Sequence, residues 1–536
     1  MSADTNRKNG LFWTPRGGNN ANDIWASCHT FSSVVENAET GKTEKTTVIV
    51  DMGQNEIPRS ILGGAYEKVV PALDDCLAVS GCEKPENEAQ AVFLTHAHSD
   101  HIAGIFEYLH MGVKLPEVYG SDYTIKTLRK ELIERGIKRE KWPELKTIGA
   151  GDKVRIGSMT VEAFAASHSI PGCFSFKISD KNASIFHSGD TKADGSSFLG
   201  NGVDMASYDR IGGVDLMTFD ATATAMGGHA TYESEIFDEY KKLFKENREK
   251  QIIAVLPAAH MERLATVISA AQAAGKDVLL NGGASMEKNV MALKLGGYDL
   301  QEKCPDICFA SANSKKADDI DPKKAITITT GIYGEVNSPF VRKLVGEKSD
   351  FVLSDDAVVI APTYGSPSEK IENLVLEHAP AGVTLIAGKD AKIYGSGHAQ
   401  ADDFVKIAEH VRPTTVIPIH CSRKMAESLN SLAKKCEYRT ISEYPYNGTT
   451  VSVGRNECRI VSVKEPEWFG INHYHQADGV EKVEFDKCGD YGYSSGKMQD
   501  SMKDRQEKAF QKIAAFRRER SLKKIASMLK RGGYGR

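Results

Sequence analysis

The sequence lacks long apolar runs, paired cysteines and nucleotide-binding motifs, and each absence excludes a class of protein. No stretch approaches the roughly 20 apolar residues of a membrane-spanning helix, and the polar N-terminus lacks a signal-peptide pattern. The ten cysteines are scattered without a Cys-x-x-Cys pair, which gives no support for a disulfide framework or a cysteine zinc site. Gly-x-Gly-x-x-Gly and Walker patterns are also missing. We therefore expect a cytoplasmic protein with reduced thiols and no contact with a membrane.

The bulk composition is that of a globular protein with more than one domain. At 536 residues, with 41% hydrophobic and 26% charged residues, the chain is too long for one ordinary core. Two or three domains are therefore expected. The formal net charge of −4 is nearly balanced and by itself gives no evidence for or against nucleic acid.

The most informative stretch is a polar cluster directly after an apolar run. Residues 91–94 read as a buried strand, and His96, His98, Asp100 and His101 follow before a helical pattern begins. Three imidazoles and a carboxylate within six residues, on a strand-to-helix turn, suit a divalent metal. Alternation of side-chain direction places His96 and His98 on one side of the turn, while Asp100 and His101 point to a neighbouring position. One turn can therefore contribute to two adjacent metal sites.

Other polar residues also follow predicted strands. Asp51 ends the strand at 46–50, where a carboxylate beside a metal turn usually orients a ligand histidine. His168 and Asp190 come after the next strands, and either one alone is more often an ordinary loop residue.

From residue 216 strands and helices alternate, as they do in a parallel α/β sheet. We interpret this region as a domain inserted into the first fold. Residues 501–536 are strongly basic, with apolar residues near helical spacing. They predict a basic helical tail that contacts RNA or a protein partner, or that is simply a solvated surface helix.

His-x-His-x-Asp-His after a buried strand resembles the signature of the metallo-β-lactamase fold. Together with the insertion, the later motifs resemble the β-CASP branch of that fold and, within it, ribonuclease J. These motifs are His-Ser-Ile-Pro at 168–171, His-Ser-Gly-Asp-x-Lys-x-Asp at 187–194, Gly-x-Ser-Met at 283–286, Ser-Gly-His-Ala at 396–399 and Ile-Pro-Ile-His at 417–420.

The resemblance implies an α/β protein: a metallo-β-lactamase αββα sandwich with an inserted parallel α/β (β-CASP) domain, to which this chain adds the basic helical C-terminal tail. We predict that residues 1–215 form the first part of the metallo-β-lactamase domain, and residues 216–345 the inserted domain. Residues 346–460 would form the second part, and residues 461–536 a polar linker and the tail. Relatives are often oligomers, so a homo-oligomer is a further expectation.

The resemblance also implies two Zn²⁺ ions per chain, with Mn²⁺ as the alternative, because a nitrogen-and-oxygen ligand set suits either metal. The implied ligands are His96, His98 and His168 on one ion, Asp100, His101 and His420 on the other, and Asp190 bridging them.

His398 is the implied general acid, and Asp220 the residue that orients it and keeps it protonated. We also predict that Asp100, one of the implied metal ligands, is a catalytic residue. Ser396 is a candidate for binding a phosphate oxygen. A histidine at position 420 resembles the RNA-processing members of the branch, whereas the DNA-repair members carry an apolar residue there.

The leading hypothesis is a two-metal ribonuclease, exo- or endonucleolytic, that acts on single-stranded RNA in RNA processing or decay. The alternatives are a DNA nuclease on the same architecture, a small-molecule metallo-hydrolase, and a protein that binds RNA with an inactive centre.

Overall fold

The structure is a computed structural model of the chain. It describes residues 9–19, 26–36, 43–56, 68–78, 85, 87–200, 202–305, 307–309, 320–347, 353–363, 366–387, 392–455, 457–464, 467–471 and 480–484. The predicted tail helix within 501–536 lies outside these residues. Within the described ranges, no helix combines the length and the apolar character that crossing a bilayer requires.

Two large mixed sheets make up the first domain. The first contains, in sheet order, the strands Glu457–Val463, Thr449–Gly454, Gly10–Gly17, Cys28–Glu36, Thr43–Val50, Ala89–Phe93, Glu117–Gly120 and Leu145–Thr147. The second contains Arg439–Thr440, Pro413–Ile419, Val214–Asp220, Ser184–His187, Cys173–Ser179, Met159–Ala166 and Lys153–Ile156. A smaller sheet contains Val480–Glu484, Glu467–Ile471, Lys68–Pro71 and Asn55–Glu56.

The two large sheets pack face to face around a shared apolar core. Trp13, Phe31 and Phe93 of the first sheet lie in one buried cluster with Phe176 and Ile417 of the second. Full burial of a large apolar side chain contributes roughly 1.5–3 kcal/mol to folding, so this layer is a major source of stability.

Helices cover the outer faces of both sheets. Those on the first sheet are Ser99–Ile102, Gly104–His110 and Asp122–Glu134, with the 3₁₀ turn Arg139–Lys141 nearby. Those on the second are Ala401–Val411, Arg423–Lys435 and the 3₁₀ helix Met205–Ile211. The order of layers is helix, sheet, sheet, helix, which confirms the predicted αββα sandwich.

The inserted domain has a separate sheet in which all neighbouring strands are parallel. In sheet order its strands are Ile307–Phe309, Asp277–Asn281, Ala325–Thr330, Ile252–Leu256, Val358–Ala361 and Thr384–Ala387. Its helices are Glu233–Glu246, Met261–Ala273, Gly283–Leu295, Leu300–Lys303, Pro339–Leu344 and Ser366–His378.

The strands that belong to this sheet do not coincide with the domain boundaries predicted at residues 216 and 345. The strand Val214–Asp220 pairs with Ser184–His187 and Pro413–Ile419, so it belongs to the second large sheet. The strands Val358–Ala361 and Thr384–Ala387, in contrast, extend the inserted sheet. Buried parallel strands are all short apolar runs, and their sequences do not specify which sheet they join. We propose that the inserted domain lies between Asp220 and Ile393.

Candidate metal centre

The histidine turn follows a central strand of the first sheet, Ala89–Phe93. Its backbone is fixed by neighbouring main chain, because the Met52 amide donates to the His101 carbonyl at 2.7 Å. Gly53 permits this close approach, since a Cβ there would lie 1.8 Å from the Asp100 carbonyl oxygen. Local packing therefore determines where the imidazoles of the turn point.

Asp51 lies against one of these imidazoles. The Asp51 carboxylate accepts hydrogen bonds from the Thr95 amide at 2.8 Å and from the Thr95 hydroxyl at 2.7 Å. Its Oδ2 also lies 2.8 Å from His101 Nδ1. An Nδ1–H that donates to a carboxylate leaves the Nε2 lone pair of His101 available for a ligand.

Three histidines bring nitrogen atoms to one point. His98 Nε2 lies 3.2 Å from the Ser169 hydroxyl, and His98 Nδ1 lies 3.0 Å from His96 Nε2. His168 Nδ1 donates to the Gly397 carbonyl at 2.7 Å. One nitrogen each of His96, His98 and His168 can therefore face a common ion, and these atoms lie within 4.8 Å of one another.

Asp190 lies at the centre of the cluster. Its Oδ2 is 3.4 Å from His101 Nε2 and 3.8 Å from the Nε2 atoms of His96, His168 and His420. A carboxylate surrounded by imidazole nitrogens in this way can serve as a metal ligand together with them.

His420 lies with Asp100 and His101 in a second group of residues that could hold a metal ion. It has a φ of 50°, an uncommon conformation for a residue other than glycine. Its Nδ1 donates to the Thr222 hydroxyl at 2.9 Å, and that hydroxyl donates to the His420 carbonyl at 2.8 Å. This leaves His420 Nε2 directed toward Asp100 Oδ2, at 3.4 Å. Thr222 is not among the residues predicted from the sequence, although a hydroxyl two residues beyond Asp220 was a possible signal.

His398 and Asp220 are 178 positions apart in the sequence but in contact in the fold. His398 Nδ1 lies 2.7 Å from Asp220 Oδ2, and the His398 amide donates to the Ser396 hydroxyl at 3.0 Å. Burial opposes a charge on this imidazole, but the Asp220 carboxylate raises the pKa of His398 to about 9. The contact with Asp220 therefore favours the protonated form of the ring.

The electrostatics of the cluster favour added positive charge. Burial holds the pKa of His96 and of His168 well below the ordinary value, so both rings are neutral and can donate lone pairs. Burial also opposes a charge on His101 and His420, yet Asp190 raises the pKa of both. The carboxylates of the cluster thus attract positive charge, which protons or cations can supply.

Two buried atoms test whether the residues fit a metal. Asp190 Oδ1 and His101 Nε2 make no hydrogen bond within the described part of the chain, and both are shielded from solvent. Buried polar atoms without a partner are costly, and a coordinated cation would satisfy both. The donor set therefore fits divalent metal ions.

The cluster lies at the base of a cleft of about 1070 Å³ between the two domains. The first domain contributes Arg135 and Lys424 to its walls, and the inserted domain contributes Lys288, Asn289 and Tyr333. Arg135 stacks on the Phe106 ring, with its guanidinium carbon 4.3 Å from the ring centroid. Cationic and aromatic side chains therefore line the cleft beside the histidine and carboxylate cluster.

Two family models match adjacent parts of the chain. The model described as beta-lactamase superfamily domain matches residues 78–241, and the model described as ribonuclease J, beta-CASP domain matches residues 249–372. Together with the αββα sandwich and the inserted parallel sheet, these matches show that the chain contains a metallo-β-lactamase domain with an inserted β-CASP domain of the ribonuclease J type.

Curated relatives carry the name Ribonuclease J. The protein from Mycolicibacterium smegmatis is 29% identical over 338 residues, which is 62% of this chain and 58% of the relative. The protein from Thermus thermophilus is 25% identical over 408 residues, 72% of this chain and 70% of the relative. The chain thus spans about three fifths of the mycobacterial relative's length.

A crystal structure of a protein of unknown function from Enterococcus faecalis is also similar in fold. It aligns with a TM-score of 0.54 at 17% identity and covers 83% of this chain and 100% of its own.

Proposed function

We propose that the protein is a metal-dependent phosphodiesterase that hydrolyses RNA, with two divalent cations at the base of the cleft. The observation that carries this proposal is the position of Asp190, whose Oδ2 lies within 3.8 Å of four imidazole nitrogens. The names of the curated relatives favour RNA as the substrate.

The two groups of ligands would each hold one cation, with Asp190 between them. Imidazole nitrogens and carboxylate oxygens suit zinc and also accommodate manganese. When bound, the cations supply activation of a water nucleophile and neutralisation of the phosphoryl oxygens. The groups are His96, His98 and His168 for the first ion, and Asp100, His101 and His420 for the second.

His398 would donate the proton that the leaving oxygen needs as the phosphorus–oxygen bond breaks. Asp220 holds its Nδ1 at 2.7 Å, so Nε2 is the nitrogen left to act on the substrate. The hydroxyl of Ser396 accepts from the His398 amide, and its own proton remains able to donate to a phosphate oxygen. These two side chains would therefore act on the same phosphodiester group.

The cleft walls would position a single strand. Arg135, Lys288 and Lys424 can contact the phosphates, and Tyr333, with half of its surface exposed, offers a face for a base. The strand would run between the two domains toward the metal cluster.

End-labelled single-stranded RNA and DNA of matched sequence, incubated with the metallated protein, test the proposal. We expect cleavage of RNA in preference to DNA, and the ladder from each labelled end distinguishes 5′ exonuclease from endonuclease activity. His398→Ala should retain its metal while turnover falls by about 10²–10⁴.

The matched control is His410→Ala, because His410 pairs with the surface residue Asp209 at 2.9 Å and lies outside the cluster. Its turnover should equal that of the wild type. Intact RNA after incubation with fully metallated wild type would refute the proposed function, and cleavage of DNA alone would refute RNA as the substrate.

A further inference from the structure

A buried group of four charges lies between the two domains, outside the metal cluster. Lys192 Nζ is 3.0 Å from Asp194 Oδ2 and 3.4 Å from Glu233 Oε1. Arg263 meets the same Glu233 carboxylate with two nitrogens, Nη2 at 3.0 Å and Nε at 3.1 Å. All four side chains are at least nine-tenths buried. The positive charges of the two basic side chains balance the negative charges of the two carboxylates, which lowers the cost of burying all four.

Glu233 is the centre of this group. The Thr266 hydroxyl donates to Glu233 Oε2 at 2.7 Å, and the backbone amide of Glu233 donates to Asp194 Oδ2 at 2.9 Å. Burial disfavours the charged carboxylate, but Arg263 and Lys192 hold the pKa of Glu233 well below its ordinary value. The carboxylate is thus a fixed anchor for the Arg263 guanidinium.

The other donors of Arg263 reach the loop that carries the proposed acid. Its Nη1 donates to the Ile393 carbonyl at 3.3 Å, and its Nη2 donates to the Gly395 carbonyl at 3.2 Å. A guanidinium has five N–H donors, and four of those on Arg263 are used within the protein. Although Arg263 borders the cleft, it therefore has little capacity left for a substrate.

The loop that Arg263 holds contains three groups of the candidate centre. The Gly397 carbonyl accepts the hydrogen bond that orients His168, and Ser396 and His398 belong to the same short segment. The loop has little alternative space, because a Cβ on Gly397 would lie 2.9 Å from the His168 ring. A shift of the Gly395 carbonyl would therefore be transmitted to the acid.

We propose that Arg263, anchored by Glu233, is a positioning residue that sets the place of the 395–398 loop and, through it, of His398. The inserted domain thereby contributes to the chemistry of the other domain without touching the substrate. This inference rests on the proposed function, since it assigns His398 as the acid.

The substitution Arg263→Lys tests the inference because it keeps the charge beside Glu233 and removes the fork that reaches the loop. At saturating metal we expect unchanged metal content, a KM close to that of the wild type, and a kcat lower by about 10²-fold, the size of effect that a misplacement near 1 Å produces. In a crystal structure of the variant, His398 should have moved from its 2.7 Å contact with Asp220.

The double variant with His398→Ala gives the decisive comparison. If Arg263 acts through His398, Arg263→Lys should cost no more than roughly twofold once His398 is absent. A merely structural role predicts the same loss in both backgrounds. Thr266→Val, which removes one hydrogen bond to Glu233 and no charge, should give a smaller loss in the same direction if Arg263→Lys proves too unstable to purify.

Arg16→Lys is the matched control, since Arg16 pairs with Asp75 at 2.7 Å and does not contact the loop. It should have wild-type kcat. An equal loss of kcat from Arg263→Lys in both backgrounds, a raised KM with unchanged kcat, or an unmoved His398 would overturn the inference. Wild type that cleaves no nucleic acid would instead refute the proposed function on which the inference rests.

Discussion

Asp220→Asn is the substitution that most sharply tests the two proposed roles, that of His398 as the acid and that of Asp220 as the residue that keeps it protonated. His398 Nδ1 lies 2.7 Å from Asp220 Oδ2, and the asparagine keeps the size of the side chain while removing its charge. Burial alone would lower the pKa of His398, yet with Asp220 it rises from 6.5 to about 9. That rise in pKa corresponds to about 3 kcal/mol in favour of the imidazolium.

The predicted consequence is a loss of turnover that depends on pH. A group acting as an acid must be protonated, so activity falls as pH rises through its pKa, and in Asp220→Asn this alkaline limb should move down by about 2 pH units. One pH unit below the wild-type pKa the variant should be about 10-fold slower than wild type, and three units below it almost equal to it. Bound cations would lower the pKa of His398 in both proteins, which moves the two profiles together and preserves their separation.

The assay is kcat against pH on a labelled RNA oligomer, with metal content measured at each pH because Asp220 Oδ1 also lies 3.9 Å from His420 Nδ1. Asp209→Asn is the control, since Asp209 pairs with the surface residue His410. An equal loss at every pH, with full metal content, would refute the role of Asp220 in keeping His398 protonated.

Two further predictions concern metal binding and stability. Gly397→Ala would place a Cβ 3.0 Å from His168 Nδ1 and so disturb the orientation of that ring. Competition with a chelator should then show metal affinity lower by about 10–100-fold. Unchanged affinity would contradict the role of the Gly397 carbonyl in orienting His168. Burial raises the pKa of Glu262 to about 7 from an ordinary 4.5, so its ionisation opposes folding. The free energy of unfolding should therefore fall by about 3 kcal/mol in total as pH rises from about 4.5 to about 7. Denaturant unfolding measured across this pH range should show the decrease in the wild type and not in Glu262→Gln. Equal pH slopes in both proteins would contradict this prediction.

The parts of the fold that follow from local sequence could be predicted, and the parts that depend on pairing could not. The run from residue 91 to His101 contains a strand and four candidate ligands on one turn, so its local structure follows from neighbouring residues. The assignment of the strands Val214–Asp220 and Val358–Ala361 to their sheets depends on partners far away in the chain. A short apolar run has the same appearance in either sheet, so the sequence does not specify where one domain ends and the other begins.

A similar distinction holds within the site. The residues named from motifs, such as His168 and His398, are brought together by the fold. The groups that orient them are harder to detect, because a backbone carbonyl such as that of Gly397 leaves no mark on the sequence. Glu233 and Arg263 are common surface residue types, and their burial beside the loop becomes evident only from the packing of the two domains.

The most direct test of the proposed two-cation centre is the number of metal ions held by the purified chain. The protein, loaded with Zn²⁺ or Mn²⁺ and then desalted, should contain two ions per chain by mass spectrometry of the elements, and Asp190→Ala should lose at least one of them. Wild-type protein that retains well under one ion per chain would contradict the convergence of these histidines and carboxylates on a pair of cations.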